Sequence, residues 1–349
     1  MSLAERALAL VKLDSPIGHE QQIADVVEQW ARGRQLPVVR HSHSLVVGNL
    51  TDPRPHVALI GHLDTVPAHA GGPAPRIEGG RLHGLGSSDM KGALAVMMSL
   101  AETLPLERLP VNLLLVFYER EEGPYLENGL GPLMEQVPQL SNLAFGIAME
   151  PTDNRVQVGC MGTLHASVTF SGKSAHSARP WQGQNAIHEA GALLTELGAR
   201  GRHEVRAAGY PFYEVMTATL AKGGRARNVV PDVFELNLNY RFAPGKSLAH
   251  AQEDVHALIA GRAAVAFTDL SPSGRVCAEN PYFQQLLKLT GADAESKQAW
   301  TDVARFSEAG VDAVNFGPGE SAQAHQRDES APVAALDEAH RILTQFLLG

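Results

Sequence analysis

A short apolar run, Val57-Ala58-Leu59-Ile60-Gly61, leads directly into His62-Leu63-Asp64 and sets the architecture that we expect for this chain. An apolar run without alternation is typical of a strand covered on both faces. A helix is predicted next, over residues 90–104, and a second apolar run follows at 111–118. Strand, helix and strand in this order predict a βαβ unit with parallel strands.

Two more apolar runs, at 143–149 and 311–316, extend this pattern, whereas residues 163–171 and 235–242 alternate apolar and polar side chains. Such alternation is typical of a sheet with one solvent-exposed face. We therefore predict an α/β fold, with a mixed, mostly parallel sheet and flanking helices, interrupted by an inserted α+β domain. The predicted domains are residues 1–162 with 270–349, and residues 163–269. The other predicted helices cover 2–12, 20–32, 185–197, 248–261, 282–290 and 334–348.

The composition excludes several classes of protein. The 349 residues include 29 Lys and Arg against 38 Asp and Glu, a formal net charge of −9, which argues against nucleic acid as a ligand. The apolar runs are too short to span a membrane, and residues 2–12 predict an amphipathic helix, not a signal peptide. Two cysteines, Cys160 and Cys277, provide no disulfide framework. We expect a cytoplasmic enzyme with neither nucleic acid nor a membrane as partner.

Side chains that can bind metal ions follow each of the four apolar runs, and one more precedes the helix 90–104. They are His62, Asp64, Glu121, Glu122, Glu150, His325 and, before the helix, Asp89. Because ligands of open parallel sheets bind beyond the carboxyl ends of the strands, we expect these side chains to converge.

Each of these residues has a plainer interpretation when taken alone. Asp89 suits a helix N-cap, the two adjacent glutamates suit a solvated loop, and Asp64 suits a turn, although it could also orient His62. Together they are harder to explain structurally. Carboxylates clustered at the mouth of a buried sheet repel one another and are costly to desolvate, and two divalent cations would supply the missing positive charge.

Five motifs resemble those of the co-catalytic zinc aminoacylase/carboxypeptidase family and occur in that family's order. They are the run 57–67, Ser88-Asp89-Met90-Lys91-Gly92, Glu121-Glu122, Glu150-Pro151 and Ala324-His325. The resemblance implies a zinc aminopeptidase-like catalytic domain and an inserted lid and dimerisation domain. It implies two Zn²⁺ ions per subunit, for which Co²⁺ can substitute, and Glu121 as general base. The implied ligands are His62 and Glu150 on one ion, Glu122 and His325 on the other, and Asp89 bridging both.

The same resemblance gives roles to residues outside the motifs. His176 would stabilise the oxyanion from the lid of a partner subunit, so the active site would be completed in a homodimer. Asn228 would reach the substrate, while Arg241, with Arg179 as a weaker candidate, would clamp its carboxylate. Thr301 and Gly319 would line the substrate site, although turn formation explains the glycine equally well.

Within the family, further stretches resemble members of the type found in actinobacteria that remove the succinyl group of N-succinyl-LL-2,6-diaminopimelate. One of them is Trp300-Thr301-Asp302-Val303-Ala304-Arg305-Phe306. The chain departs from the proteobacterial members at Met161, where they have an arginine. The partner expected is therefore a small anionic N-acyl amino acid. Deacetylation of N-acetylornithine or N-acetylcitrulline, another aminoacylase activity, or a carboxypeptidase activity stays open.

Overall fold

The computed structural model describes residues 1–349, which fold into two compact units. Unit 1 comprises Met1–Gly159, Gly274–Lys297 and Thr301–Gly349, and unit 2 comprises Cys160–Ser273 and Gln298–Trp300. No helix has the combination of length and apolar character that a membrane span requires.

The helices and strands are numbered in chain order. The first part of unit 1 contains α1 (Leu3–Val11), α2 (Gln21–Gly33), β1 (Val38–His41), β2 (Ser44–Val47), β3 (His56–His62), β4 (Arg76–Glu78), β5 (Arg81–His83), α3 (Lys91–Thr103), β6 (Asn112–Tyr118), α4 (Leu130–Gln136), β7 (Phe145–Ala148) and β8 (Gln157–Val158). Unit 2 contains β9 (Gly162–Ser171), α5 (Ala186–Glu189), α6 (Gly191–Ala199), β10 (His203–Ala207), β11 (Tyr210–Gly223), β12 (Val233–Phe242), α7 (Leu248–Ile259) and β13 (Ala264–Ser271). Unit 1 resumes with α8 (Pro281–Thr290), β14 (Glu295–Ser296), α9 (Val303–Glu308), β15 (Ala313–Asn315), β16 (Ser330–Pro332) and α10 (Val333–Leu348).

The core of unit 1 is an eight-stranded mixed sheet in the order β1-β2-β6-β3-β7-β15-β8-β14. Its four central strands, β6, β3, β7 and β15, are mutually parallel and coincide with the four apolar runs. Leu59, Leu114, Ile147 and Val314 on these strands are fully buried, as strands covered on both faces require. The predicted α/β class with a mixed sheet is confirmed.

The register of the central strands aligns their carboxyl ends. His62, the last residue of β3, lies opposite Tyr118, the last residue of β6. Ala148, the last residue of β7, lies opposite Asn315, the last residue of β15. The residues that follow all four strands therefore emerge at one edge of the sheet.

Helix α3 begins one residue too late for Asp89 to be its N-cap. Helix α3 starts at Lys91, its N-cap position is Met90, and no side chain caps it. The interpretation of Asp89 as an N-cap is therefore wrong, and its carboxylate contacts His62 instead.

Unit 2 has a five-stranded antiparallel sheet in the order β10-β11-β12-β9-β13. Phe170 and Leu238 of the sheet share its core with Leu193 of α6 and Val255 of α7. The predicted helix 185–197 is divided into α5 and α6 just before Gly191, a residue of low helix propensity. Three strands of this sheet, β10, β11 and β13, were not predicted from the sequence, because few of their side chains are buried.

Candidate metal centre

The candidate metal-binding side chains of unit 1 lie at neighbouring strand ends. His62 ends β3, and Glu121 and Glu122 follow β6, the parallel neighbour of β3. Glu150 follows β7, which pairs with β3 on its other side. Since parallel neighbours end at the same edge of the sheet, these side chains gather there.

Asp89 lies between two imidazole rings. Its Oδ1 atom is 3.1 Å from Nε2 of His62, and its Oδ2 atom is 3.6 Å from Nε2 of His325. The same nitrogen of His325 lies 3.0 Å from Oε2 of Glu122. Two ligands that each lie about 2 Å from one zinc ion at a tetrahedral angle are roughly 3.3 Å apart. The spacing of these donor atoms therefore fits metal binding.

Three of these residues form a compact group that can hold a metal ion. Ligand atoms of His62, Asp89 and Glu122 all lie within 4.8 Å of one another. His62 and Asp89 are buried, and Glu122 is partly buried. Imidazole and carboxylate together are a donor set that suits zinc and similar divalent ions.

Two acids of this cluster, Glu150 and Glu121, hold their protons more tightly than exposed acids do. The pKa of Glu150 is raised to about 7, first by burial and then by the charge of Asp89. Burial raises the pKa of Glu121 well above its usual value, and the charges of Glu150 and Glu122 raise it further. A carboxyl group in such surroundings is suited to accept a proton near neutral pH.

Neighbouring acids favour the charged form of the two imidazoles, His62 and His325. The hydrogen bond with Glu122 raises the pKa of His325 to about 9. Burial opposes charging of His62, but its hydrogen bonds to Asp64 and Asp89 raise its pKa well above the usual value. The cluster thus attracts positive charge, which a divalent cation would provide.

Asp64 is fully buried and connects the loops that carry His62, Glu121 and Glu122. Its two carboxylate oxygens accept the backbone N–H groups of Glu121 and Glu122, each at 3.0 Å. Nδ1 of His62 lies 3.0 Å from the backbone carbonyl oxygen of Asp64. Because a carbonyl only accepts, Nδ1 carries a proton. Nε2 therefore faces Asp89, to which it donates in the metal-free protein, and it would offer its lone pair to a metal ion once deprotonated.

Two buried charged residues of this region were not singled out in the sequence. The carboxylate of Glu329 accepts backbone N–H groups from the loop that leads into Asp89. The ammonium of Lys297 lies 3.5 Å from the carbonyl oxygen of Pro151, and its charge lowers the pKa of Glu150. The only sequence signal for Glu329 is its position four residues after His325, and the sequence carries no comparable signal for Lys297.

Four candidate residues belong to unit 2, and two of them are brought together there. The backbone N–H of Ser177 donates to the carbonyl oxygen of Asn228 at 2.9 Å, so His176 and Asn228 lie on adjoining segments. Nδ1 of His176 accepts the backbone N–H of Ala178 at 3.1 Å, which leaves its proton on the exposed Nε2 atom.

The two candidate arginines of unit 2 differ in their surroundings. Arg179 is exposed, whereas Arg241 on β12 is partly buried. Nε of Arg241 lies 3.3 Å from Oδ1 of Asn239, and burial lowers the pKa of the Arg241 guanidinium.

Thr301 and Gly319, the remaining candidates, belong to unit 1. Thr301 is 1% exposed and precedes Asp302 at the start of α9. Gly319 packs so closely against Ser88 that a Cβ atom there would lie 2.1 Å from the Ser88 carbonyl oxygen. Close approach to the Asp89 loop thus requires a glycine at this position.

Comparison with known proteins identifies a family and several similar proteins. The sequence profile of peptidase family M20/M25/M40 matches residues 58–349. A succinyl-diaminopimelate desuccinylase of Corynebacterium glutamicum is 35% identical over 97% of this chain and 94% of its own length. A Mycobacterium tuberculosis protein, provisionally named as the same enzyme, is 37% identical over 99% of this chain and 98% of its own length.

Solved structures share the fold at much lower identity. Aminopeptidase PepT of Bacillus cereus superposes with a TM-score of 0.78 at 18% identity, covering 99% of this chain and 97% of its own. An M20 family metallo-carboxypeptidase of Sulfolobus solfataricus superposes with a TM-score of 0.78 at 14% identity, covering 99% and 98%. At these identities the likeness establishes the fold alone.

Proposed function

We propose that this chain, which belongs to peptidase family M20/M25/M40 and is a metal-dependent amidohydrolase, hydrolyses the amide bond of N-succinyl-LL-2,6-diaminopimelate. The products are succinate and LL-2,6-diaminopimelate. The observation that carries the reaction is the placement of Asp89 between the imidazoles of His62 and His325. The choice of substrate rests on the two desuccinylase relatives that match nearly the whole chain.

The proposed cofactor is a pair of Zn²⁺ ions, for which Co²⁺ can substitute. His62 and Glu150 would hold one ion, Glu122 and His325 would hold the other, and Asp89 would contribute to both. The separations of 3.0–3.6 Å between the imidazole nitrogens and the carboxylate oxygens of Asp89 and Glu122 support these four ligands, and Glu150 is included because it follows the neighbouring strand β7. When bound, such ions lower the pKa of water and polarise the substrate carbonyl.

Glu121 is the proposed general base. It accepts a proton from the attacking water, whose oxygen forms a bond to the amide carbon. As the carbon–nitrogen bond breaks, Glu121 returns this proton to the departing amine, so the reaction consumes one water and leaves the acid and the amine. The raised pKa of Glu121 supports this role, because the group must hold the proton between the two steps.

The proposed lid residues, His176 and Asn228, act on the substrate in a homodimer. His176 donates from Nε2 to the oxygen that becomes negative in the tetrahedral intermediate, and it does so from a partner subunit in a homodimer. Asn228 contacts the substrate beside it. Mixing an inactive Glu121→Gln variant with an inactive His176→Ala variant tests this arrangement. Restored activity supports action in trans, and continued inactivity of a verified mixed dimer contradicts it.

The residues proposed to contact the substrate include two arginines that would bind its carboxylate. Arg241 pairs with a substrate carboxylate through its planar guanidinium, assisted by Arg179, while Thr301 and Gly319 line the site. A protein of net charge −9 needs such local positive charge to bind a small anionic N-acyl amino acid.

A deacetylase is the second candidate. An acetylornithine deacetylase of Myxococcus xanthus is 29% identical over 86% of this chain. Met161, which is fully buried, cannot pair with a succinyl carboxylate as an arginine would.

A panel of acyl substrates separates the candidates. We expect chelator-treated protein to be inactive, and added Zn²⁺ or Co²⁺ to restore hydrolysis of N-succinyl-LL-2,6-diaminopimelate in preference to N-acetylornithine and N-acetylcitrulline. A preference for the acetyl compounds would replace the proposed substrate. Full activity in the chelator-treated protein, with no metal detected by elemental analysis, would contradict the metal centre.

A further inference from the structure

The loop 84–89, which leads into Asp89, forms several hydrogen bonds to one buried carboxylate, that of Glu329. We infer that Glu329 is a positioning residue of the metal centre, which fixes the backbone of Asp89 so that its carboxylate faces both imidazoles. This inference rests on the proposed function, because it presumes that Asp89 binds metal ions.

The contacts of Glu329 are extensive. Glu329 is 1% exposed, and its Oε2 atom accepts the backbone N–H of Gly86 at 2.9 Å. Its Oε1 atom accepts the backbone N–H groups of Ser88 at 2.7 Å and of Asp89 at 2.9 Å. Successive N–H groups that point inwards form a concave anion site, and here the anion is a side chain of the same protein.

The neighbouring backbone fixes Glu329 itself. Its carbonyl oxygen accepts the N–H of Gly84 at 3.0 Å, and the next residue, Ser330, begins β16, which pairs with β5 opposite His83. The residue that carries the carboxylate thus lies directly before a strand, and the loop 84–89 is folded around the carboxylate. The orientation of Asp89 follows from this anchoring, since one of the three N–H groups is its own.

Glu329 also connects two proposed ligands that are far apart in the chain. It lies four residues after His325, whose Nε2 atom is 3.6 Å from Oδ2 of Asp89. The segment 325–329 therefore brings an imidazole to the carboxylate of Asp89 and accepts a hydrogen bond from its backbone. Outer-sphere groups of this kind orient ligands and influence metal affinity.

If Glu329 had only a structural role, it would do no more than accept hydrogen bonds from three buried N–H groups. Substitution by glutamine, which has the same shape, distinguishes that role from an effect on metal binding. In Glu329→Gln the carbonyl oxygen can still accept from Ser88 and Asp89. The new amide N–H groups would face the N–H of Gly86, and the negative charge that Glu329 carries when ionised would be lost. The Gln variant therefore preserves the shape and most of the packing of the loop.

The test uses Co²⁺ alone as probe, on chelator-treated full-length protein. Co²⁺ is titrated into wild type, Glu329→Gln and Glu329→Ala, with affinity followed by calorimetry and coordination by visible absorption. Glu338→Gln is the matched control, because Glu338 is a partly exposed residue of α10 that pairs with Arg341. Melting temperature and near-ultraviolet circular dichroism report on folding.

We expect Glu329→Gln to bind at least one Co²⁺ about 10- to 100-fold more weakly, with an altered absorption spectrum, while it stays folded. Its kcat should fall with little change in KM, and Glu338→Gln should match wild type. Should Glu329→Ala fail to fold, Glu329→Gln decides the question. Wild-type affinity and spectrum in Glu329→Gln would overturn this inference alone. A wild-type protein that takes up no Co²⁺ would overturn the metal centre and this inference with it.

Discussion

One carboxylate oxygen of Asp64 accepts the backbone N–H of Glu121 at 3.0 Å, although the two residues are 57 positions apart in the chain. The contact joins the loop after β3 to the loop after β6. It fixes the backbone of the proposed base through a residue that is completely buried. Asp64 thus links the proposed metal ligand His62 to the proposed base.

Replacing Asp64 by Asn should impair both metal binding and catalysis. Asn keeps one acceptor but places an amide N–H against a backbone N–H of the Glu121–Glu122 segment. We expect a loss of about 10- to 100-fold in metal affinity or in kcat, measured by metal titration and steady-state kinetics. Asp337→Asn, on the exposed side of α10, is the control. Equal behaviour of the two variants would show that Asp64 does not organise the site.

Replacing Glu121 by Gln should remove turnover and leave metal binding intact. The amide cannot accept a proton, and general-base catalysis contributes about 10²- to 10⁴-fold to rates. The measurement is kcat together with metal content by elemental analysis. Glu127→Gln serves as control, because Glu127 lies nearby on the surface and pairs with Arg120. Near-normal kcat in the Glu121 variant would remove it from the mechanism.

The stability of metal-depleted protein should fall as the pH rises. His325 has a folded-state pKa of about 9 against an ordinary 6.5, and Glu150 one of about 7 against 4.5. Both groups bind protons more tightly when folded, so their stabilising effect is complete below the ordinary values and lost as the pH rises through the folded ones.

We therefore expect the melting temperature of chelator-treated protein to decrease between about pH 4.5 and pH 9. Added Zn²⁺ should stabilise the protein more at the upper end of this range, because metal ligands must lose their protons. Thermal unfolding at a series of pH values measures both effects. A melting temperature that rises with pH in the metal-depleted protein would contradict the raised folded-state pKa values of His325 and Glu150.

Replacing Arg241 by Lys should weaken binding of the anionic substrate. Lysine keeps the charge but loses the planar pair of donors, and a hydrogen bond to a charged group is worth about 1.5–3 kcal/mol. We expect KM to rise about 10-fold or more, with a smaller change in kcat. The control is Arg206→Lys on β10, an exposed arginine that pairs with Glu204. An unchanged KM in Arg241→Lys would exclude the carboxylate clamp.

Much of unit 1 could be predicted from the sequence because its strands are covered on both faces. Burial on both sides demands unbroken apolar runs, and the four central strands coincide with four such runs. The match to peptidase family M20/M25/M40 confirms the family resemblance found in the motifs. Strand β11 was not predicted, for the opposite reason. Most of its second half is exposed, so its residues need not be apolar and give no recognisable pattern.

The role of Asp89 shows where local pattern was insufficient. An acid just before a helix satisfies the rules for an N-cap, but α3 begins at Lys91 without a side-chain cap, and Asp89 contacts His62 instead. A one-residue shift in the helix start decides between these interpretations, and sequence patterns do not fix helix ends so closely.

By itself, the sequence determined the class of fold and the set of side chains available at the carboxyl ends of the central strands. The reason is that the succession of strands and helices along the chain, and the chemistry of each side chain, can be inferred from short stretches of sequence. Only the tertiary structure decided how these groups are paired and supported. The hydrogen bonds of Asp64 to Glu121 and of Glu329 to Asp89 join residues 57 and 240 positions apart. Such pairings depend on backbone geometry at the end of each strand, where three-dimensional packing fixes which carboxylate meets which N–H group.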